Sequence, residues 1–334
     1  MKEEFLKLHS NQRLLVEEML NRKIAIRIID FDMELIEAEY NNHRELIMDR
    51  NSSIIPYTDS VLIGDKAITK KFLKENEISV PIGMAFYPDE EEFILEAFRL
   101  FNKSVVIKPT FGSHGFDVYI DLKTEEEVKG ALEKIRKNRG NTKILIEEYF
   151  EASEYRVFVT KEGKYAVLYR EPAHVVGDSI HNINELAAIE TDKRMNPRTN
   201  ALCPILIDEE VENYLLKKNL NLEYIPQLNE KIYIRANSNV AVGGLCIDYT
   251  DKVHPSVIEI SQKILKIFPG LPYIGVDFMT TNIQVKQTKN TYKIIEVNSN
   301  PGVHMHMNPA IGTPRDVASY MVDLIFPETK EEEL

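Results

Sequence analysis

Lys293-Ile294-Ile295-Glu296-Val297-Asn298-Ser299-Asn300-Pro301-Gly302 reads as an apolar strand running into a turn. Ile294, Ile295 and Val297 suit a buried strand, and Asn-Pro-Gly closes it. Side chains alternate along a strand, so Glu296 and Asn298 share one face. One anionic and one amide oxygen, two positions apart, suit a Mg²⁺ ion that keeps other coordination places for phosphate oxygens. Upstream, Gly275-Val276-Asp277-Phe278-Met279 sets a second carboxylate in another apolar run. Taken alone, Glu-x-Asn describes any solvated strand end, and its weight comes from the rest of the chain.

The 334 residues are 43% hydrophobic, enough for two or three lobes with a sizeable core. A net charge of -12 favours solubility and argues against a nucleic-acid partner, which needs a basic face. Cys203 and Cys246 show no metal-type spacing, and a reducing cytoplasm fits them. The first twenty residues carry charges throughout and lack the apolar core of a signal peptide. No run approaches the ~18 apolar residues of a membrane span. The closing ETKEEEL is an acidic tail.

Along the chain, Phe5, Leu8, Leu15, Met19 and Leu20 recur at helical spacing. Ile24 to Ile29 is an expected strand, followed by a less regular stretch to about Tyr57. Lys66 to Glu75 is a short helix closed by Asn76. Asp89 with Glu92, Thr124 with Glu127, and Ser256 with Glu259 have the spacing of capping boxes, and Asp208 opens another helix. Thr313-Pro314-Arg315-Asp316 gives an N-cap, a proline at the first turn and an acid for the last helix. Strands are expected at 104–108, 117–120, 144–146, 155–160, 165–169, 231–235, 274–279 and 292–298. The pattern is α+β, with many antiparallel hairpins and no internal repeat.

Four further sets carry chemistry. Lys108 ends an apolar strand beside Pro109 and the loop Phe111-Gly112-Ser113-His114-Gly115, whose backbone N–H groups can meet phosphate oxygens. Lys66 opens a helix. In Ile144-Leu145-Ile146-Glu147-Glu148-Tyr149-Phe150, with Glu154 beyond, a strand leaving its sheet frees backbone groups for an adenine edge, and carboxylates can accept from the adenine amine and from ribose. Arg156, Arg170 and Arg235 lie in apolar strand patterns, where a guanidinium needs a partner and can clasp carboxylate or phosphate in two-pronged fashion. Each feature alone has an ordinary reading: a surface lysine, a turn, a solvated strand end, an internal ion pair.

The order Lys, Lys-Pro-glycine loop, Glu-Glu-Tyr-Phe, Arg, Asp, Glu-x-Asn resembles the ATP-grasp superfamily of carboxylate–amine ligases. More narrowly, GDKAITKKFLKENEISVP, KPTFGSHGFDV, REPAHVVGDSIHNINEL, RANSNVAVGGLCIDYTDKVHPS and EVNSNPGVHMHMNPAIGTPRDV are similar to blocks of bifunctional glutathione synthetases and cyanophycin synthetases. The similarity runs from Arg22 to Pro327. It implies two α+β lobes gripping ATP behind a short N-terminal α/β segment. The expected divisions are 1–62 (a partial substrate lobe), 63–150 (the central lobe with the phosphate loop), 151–328 (the catalytic lobe) and 329–334 (the tail).

The resemblance also implies roles. Lys66 and Lys108 would contact the α- and β-phosphates, and Gly112, Ser113, His114 and Gly115 the γ-phosphate. Glu147 would take the adenine amine, Glu148, Tyr149 and the Phe150 backbone the ring edge, and Glu154 the ribose. Asp277, Glu296 and Asn298 would bind two Mg²⁺ ions, with Mn²⁺ as a substitute. Arg156, Arg235 and Asn239 would flank the transferred phosphate and acceptor carboxylate, and Arg170 and His181 would touch substrate. The implied activity joins an amino acid or small peptide to an amine through an acyl phosphate. A non-catalytic ATP-binding scaffold and an ATP-grasp small-molecule kinase are the alternatives. Residues 1–62 are fewer than the substrate lobe of stand-alone relatives, so a partner subunit is one way to complete the site. With the apolar face of the first helix, this leads to the expectation of a homodimer or tetramer.

Overall fold

A computed structural model describes residues 3–112, 115–195 and 203–330. The chain runs α1 (Ser10–Asn21), β1 (Ala25–Asp30), β2 (Leu35–Tyr40), β3 (His43–Met48), α2 (Tyr57–Gly64), α3 (Lys66–Glu75), β4 (Gly83–Phe86), α4 (Glu91–Phe101), β5 (Val105–Pro109) and β6 (Tyr119–Leu122). It continues through α5 (Glu125–Arg139), β7 (Ile144–Glu148), β8 (Ser153–Thr160), β9 (Tyr165–Glu171), β10 (His174–Val176), α6 (Ile183–Arg194), α7 (Glu209–Lys217) and β11 (Lys231–Tyr233). Then come β12 (Leu245–Asp248), α8 (Pro255–Ile267), β13 (Tyr273–Thr280), β14 (Tyr292–Asn298), α9 (His304–Met307) and α10 (Val317–Ile325). The mixture of helices with antiparallel sheets agrees with the α+β expectation.

Two compact units result, neither contiguous in sequence. The first joins Met1–Val80, Tyr155–Leu168 and Asp248–Leu334; the second joins Pro81–Glu154 and Tyr169–Ile247.

In the first unit, β9, β8, β13 and β14 neighbour one another in that order. The antiparallel meander β1-β2-β3 belongs to the same unit. Its β2–β3 turn is the pair Asn41-Asn42, with Tyr40 opposite His43 and Asn41 at φ 53°, a left-handed position that asparagine tolerates. The stretch expected to be irregular therefore holds two strands, β2 and β3, and ends where α2 begins. What hid β3 is Glu45, which points inward at 5% exposure and takes hydrogen bonds from the Ser53 N–H (3.0 Å) and hydroxyl (2.8 Å). A satisfied carboxylate in the core breaks the alternation that marks a half-buried strand.

The helical face of Phe5, Leu8, Leu15 and Met19 is buried within this unit, with Val16, against Met321, Val322 and Ile325 of α10 and Ile36, Ala38 and Ile47 of the meander. Each such burial contributes about 2 kcal/mol. Arg22 then ties α1 to α10 through Asp323 (2.6 Å) and the Ser319 hydroxyl (2.7 Å). The apolar face that motivated a dimer or tetramer is thus occupied by its own chain.

The second unit holds the sheet β4-β7-β5-β6, covered by α4 and α5 through Ile94, Leu95, Val128, Leu132 and Ile135. A further cluster gathers α6 and α7 near the two-stranded pair β10-β11. Thr124 and Glu127 form the expected capping box of α5, and the Asp208 carboxylate caps α7. Other caps differ from expectation. Neither Asp89 nor Glu90 makes a side-chain cap bond to α4. His254, not Ser256, caps α8, and Asp316, not Thr313, caps α10. At α4 the Glu90 carboxylate accepts instead from the Tyr87 N–H at 2.6 Å.

Candidate active site

The carboxylate set lies in the first unit. In the β13–β14 ladder Asp277 sits directly opposite Glu296, and Gly275 opposite Asn298. Directly opposed residues share a face, so Asp277, Glu296 and Asn298 project from one side of the hairpin. Between Asp277 and Phe278 the register slips, leaving Ile295 as an extra residue on β14. Such a bulge re-aims neighbouring side chains, and this part of β14 lies beside Ile63, Lys66, Lys70 and Leu73.

Two carboxylates set opposite one another on neighbouring strands repel, and each is matched by a cation. Arg156 of β8 clasps Asp277, Nε to Oδ1 at 2.6 Å and Nη2 to Oδ2 at 3.3 Å. Lys66 Nζ lies 3.5 Å from Glu296 Oε2. Lys66 is the first residue of α3, whose N-cap Asp65 accepts from the N–H groups of Ala67 and Ile68. A cation there opposes the helix dipole, so its placement serves the neighbouring carboxylate rather than the helix. The Asn298 amide nitrogen is buried without a hydrogen-bond partner. Its carboxamide is therefore not held by bonds through that atom.

Two anionic groups and one amide offer hard oxygens to a hard cation, and they fit Mg²⁺ or Mn²⁺. Among the described residues no group of three His, Cys, Asp or Glu side chains could hold a metal. Beside Arg156 stands His306, which sequence reasoning did not single out. It is fully buried, neither ring nitrogen has a hydrogen-bond partner, and burial together with the Arg156 charge pushes its pKa down to about 3.

The nucleotide candidates lie mostly in the second unit. Lys108 pairs with Leu145 across the sheet, so it shares a face with Glu147 two residues on. The two form an ion pair and are almost wholly buried. Opposite Glu147 on β4 is Gly83, where a Cβ would come within 2.8 Å of the Glu147 Cβ, so glycine makes room for the carboxylate. Glu148 accepts from the Ile82 N–H at 3.2 Å. The Tyr149 N–H continues the ladder to the Ser104 carbonyl, and burial pushes its hydroxyl up to about 12. Phe150 is half-buried just past the end of β7.

Glu154 accepts from Arg170 at 2.7 Å and from the Ser238 hydroxyl at 2.5 Å. Ser238 was not foreseen, although it lies inside the Arg-Ala-Asn-Ser-Asn block. Gly115 and Asn239 come together, with the Asn239 amide 3.9 Å from where a Gly115 Cβ would stand. Gly112, at φ 139°, is backed by Arg139 from the last turn of α5, another cation that periodicity did not reveal. Ser113 and His114 lie outside the described residues. Arg235, 1% exposed, is committed within the unit to Glu210 (2.8 Å), Asp208 (2.6 Å) and the Leu206 carbonyl (2.9 Å). His181 and Asp178 are partly exposed and bonded at 2.6 Å, which raises the imidazole and lowers the carboxyl.

No established family profile matches the chain. It is 32% identical over 297 residues to the cyanophycin synthetase of Synechocystis, covering 88% of this chain and 34% of the relative. It is 32% identical over 326 residues to the bifunctional glutathione biosynthesis protein GshAB of Clostridium perfringens, covering 96% of this chain and 41% of the relative. The chain thus spans less than half the length of these curated relatives. Among solved structures, the bifunctional glutathione synthetase of Pasteurella multocida matches with a TM-score of 0.70 at 29% identity, over 98% of this chain and 45% of that one. The D-alanine–D-alanine ligase of Bacillus anthracis shares the fold at 16% identity and a TM-score of 0.50, over 82% of this chain and 70% of that one. By sequence and by fold, the chain belongs to the ATP-grasp superfamily, alongside the segment it matches in cyanophycin synthetases and bifunctional glutathione-biosynthesis proteins.

Proposed function

We propose that the chain is an ATP-dependent ligase forming carbon–nitrogen bonds. A substrate carboxylate takes the γ-phosphoryl group of ATP, and an amine then displaces phosphate from the acyl phosphate, leaving an amide, ADP and phosphate. The substrates are amino acids or a small peptide, in keeping with the cyanophycin and glutathione syntheses for which the relatives are named. The observation that carries this reading is the face of β13–β14 on which Asp277, Glu296 and Asn298 converge.

Asp277, Glu296 and Asn298 would hold Mg²⁺, as two ions. When bound, the ions supply charge neutralisation for the phosphates. The chain's own residues supply the rest. Lys66 and Lys108 are point charges for phosphate oxygens. The backbone of Gly112 to Gly115 offers N–H groups to the γ-phosphate. Glu147, Glu148, Tyr149 and Phe150 border the adenine, and Glu154 takes the ribose. Arg156 and Asn239 neutralise and orient the acceptor carboxylate, Arg235 would join them by exchanging Asp208 and Glu210 for it, and Arg170 and His181 lie toward substrate. Such chemistry needs positioning and charge rather than covalent help, and loss of one electrostatic contact commonly costs ~10²-fold. Among the described residues no helix is long and apolar enough to cross a membrane.

The test is ADP release against a panel of amino acids and dipeptides, with mass detection of products. An amide product is expected. A phosphorylated product without amide would indicate a kinase, and ATP binding without ADP release would indicate a scaffold.

A further inference from the structure

The helix α1 does not cap itself. His9 stands at its N-cap and makes no side-chain bond to it. Asn11, in the first turn, instead turns its amide oxygen to a distant segment and accepts from the N–H groups of Val303 (2.8 Å) and His304 (2.9 Å). Those are the N-cap and first residue of α9. A residue type well suited to capping its own helix thus caps another, far away in sequence. A second tie comes from the end of the meander. Arg50 donates to the Asn300 carbonyl at 3.3 Å. Asn300 in turn donates through its amide to Asp49 at 3.0 Å, and Asp49 pairs with Arg50 at 2.6 Å. The Ser60 and Ser299 hydroxyls meet at 3.3 Å.

All of these bonds except the Asp49–Arg50 pair fall on residues 299–304, the loop entered directly from Asn298. Arg50 is 11% exposed, and burial lowers its pKa. Burying such a pair adds little to stability compared with an apolar contact, so stability alone does not account for it. The loop also presses on β13, because a Cβ at Gly275, the cross-strand partner of Asn298, would lie 2.7 Å from the Pro301 Cβ.

We infer that the N-terminal segment is a brace for the proposed cation face, with Asn11, Asp49 and Arg50 as positioning residues that fix the residue 299–304 loop and through it the direction of Asn298. This rests on the assignment of Asn298 as a cation ligand. It gives residues 1–62 a role within the site's own unit, one that needs no second subunit.

The test uses the full chain with Asn11→Ala, Asn11→Asp, Asp49→Asn and Glu296→Gln. Mn²⁺ binding is titrated by electron paramagnetic resonance in the presence of a non-hydrolysable ATP analogue, and amide exchange is followed at Val303 and His304. Outer-shell partners of metal ligands commonly contribute 10- to 100-fold to affinity. Asn11→Ala is therefore expected to weaken Mn²⁺ about tenfold and to speed exchange at both amides. Asn11→Asp, which keeps the acceptor, is expected to restore both. Asp49→Asn, acting at the other end of the loop, is expected to weaken Mn²⁺ several-fold even if Asn11→Ala fails to fold. Faster exchange with Mn²⁺ affinity within twofold of the parent would reduce the brace to a structural role and overturn the inference. If Glu296→Gln leaves Mn²⁺ binding unchanged, the metal assignment falls instead, and slow exchange in Asn11→Ala would then overturn the brace on its own.

Discussion

Replacing Asp277 by asparagine removes one charge from a pair in which both side chains are about nine-tenths buried. Arg156 would be left with its guanidinium in the core facing an amide. Two unit charges ~4 Å apart attract by about 4 kcal/mol at an effective dielectric near 20. Stripping a buried pair of one partner costs about 3–5 kcal/mol, and the remaining asparagine oxygen still accepts a hydrogen bond, so a net loss of about 3 kcal/mol is expected. For a domain of this size that corresponds to roughly 6–12 °C in melting temperature. Glu296→Gln is the contrasting case. Glu296 is 24% exposed, its lysine lies 3.5 Å away, and its charge opposes Asp277 across the ladder, so a change within about 1 kcal/mol is expected. Both variants should lose ADP formation. Differential scanning calorimetry in chelator, followed by ADP assay with excess Mg²⁺, separates the two effects. An Asp277→Asn protein that melts within 2 °C of the parent, or a Glu296→Gln protein that melts as low as Asp277→Asn, would refute the division of labour between Arg156 and the cation face.

Three further outcomes follow from the same geometry. Lys108→Ala should cost about 3–5 kcal/mol in denaturant unfolding because Glu147 stays buried without its lysine, whereas Lys108→Met combined with Glu147→Leu should recover most of that loss. The His306 pKa is depressed in the folded state, so the stability it contributes is complete above its unfolded value of about 6.5 and is lost as pH falls from there toward about 3. His306→Phe should reduce the slope of stability against pH by up to about 1.4 kcal/mol per unit between pH 6 and 4, measured by urea titration at each pH. Thr124→Ala should lower stability by about 1 kcal/mol through loss of the α5 capping box, with no change in ADP formation.

What the sequence made legible was local. Thr124 with Glu127 and Asp208 could be placed because one polar residue stood at the right offset from an apolar run. At Asp89, Ser256 and Thr313 several polar residues stand close together, and the caps are His254 for α8 and Asp316 for α10, with no side-chain cap bond at α4. Helix α6 was hidden inside a block read for chemistry, although Asn182 and Glu185 form a capping box in plain view. The faces of Glu296 and Asn298 followed from strand parity. The pairing of Glu296 with Asp277 did not, since the extra residue Ile295 shifts the register by an amount that no single strand reveals. Partnerships such as Arg156 with Asp277, Ser238 with Glu154 and Asn11 with His304 join residues far apart in the chain, and composition alone carries no information about which cation meets which acid.

The union of α1 with α10 has a consequence for the order in which the protein can be made. Arg22 and Asp323 are separated by 301 positions, and α1 finds Met321, Val322 and Ile325 only once α10 has been synthesised. Contacts of such long range reward the chain only after the entropy of closing the loop has been met. The sheet β4-β7-β5-β6, drawn from residues 83–148, can form early during translation, while Leu15, Val16 and Met19 wait without their partner. Helix α1 is thus made well before the partner it docks on, and during that interval its apolar face is open to chaperones and to aggregation.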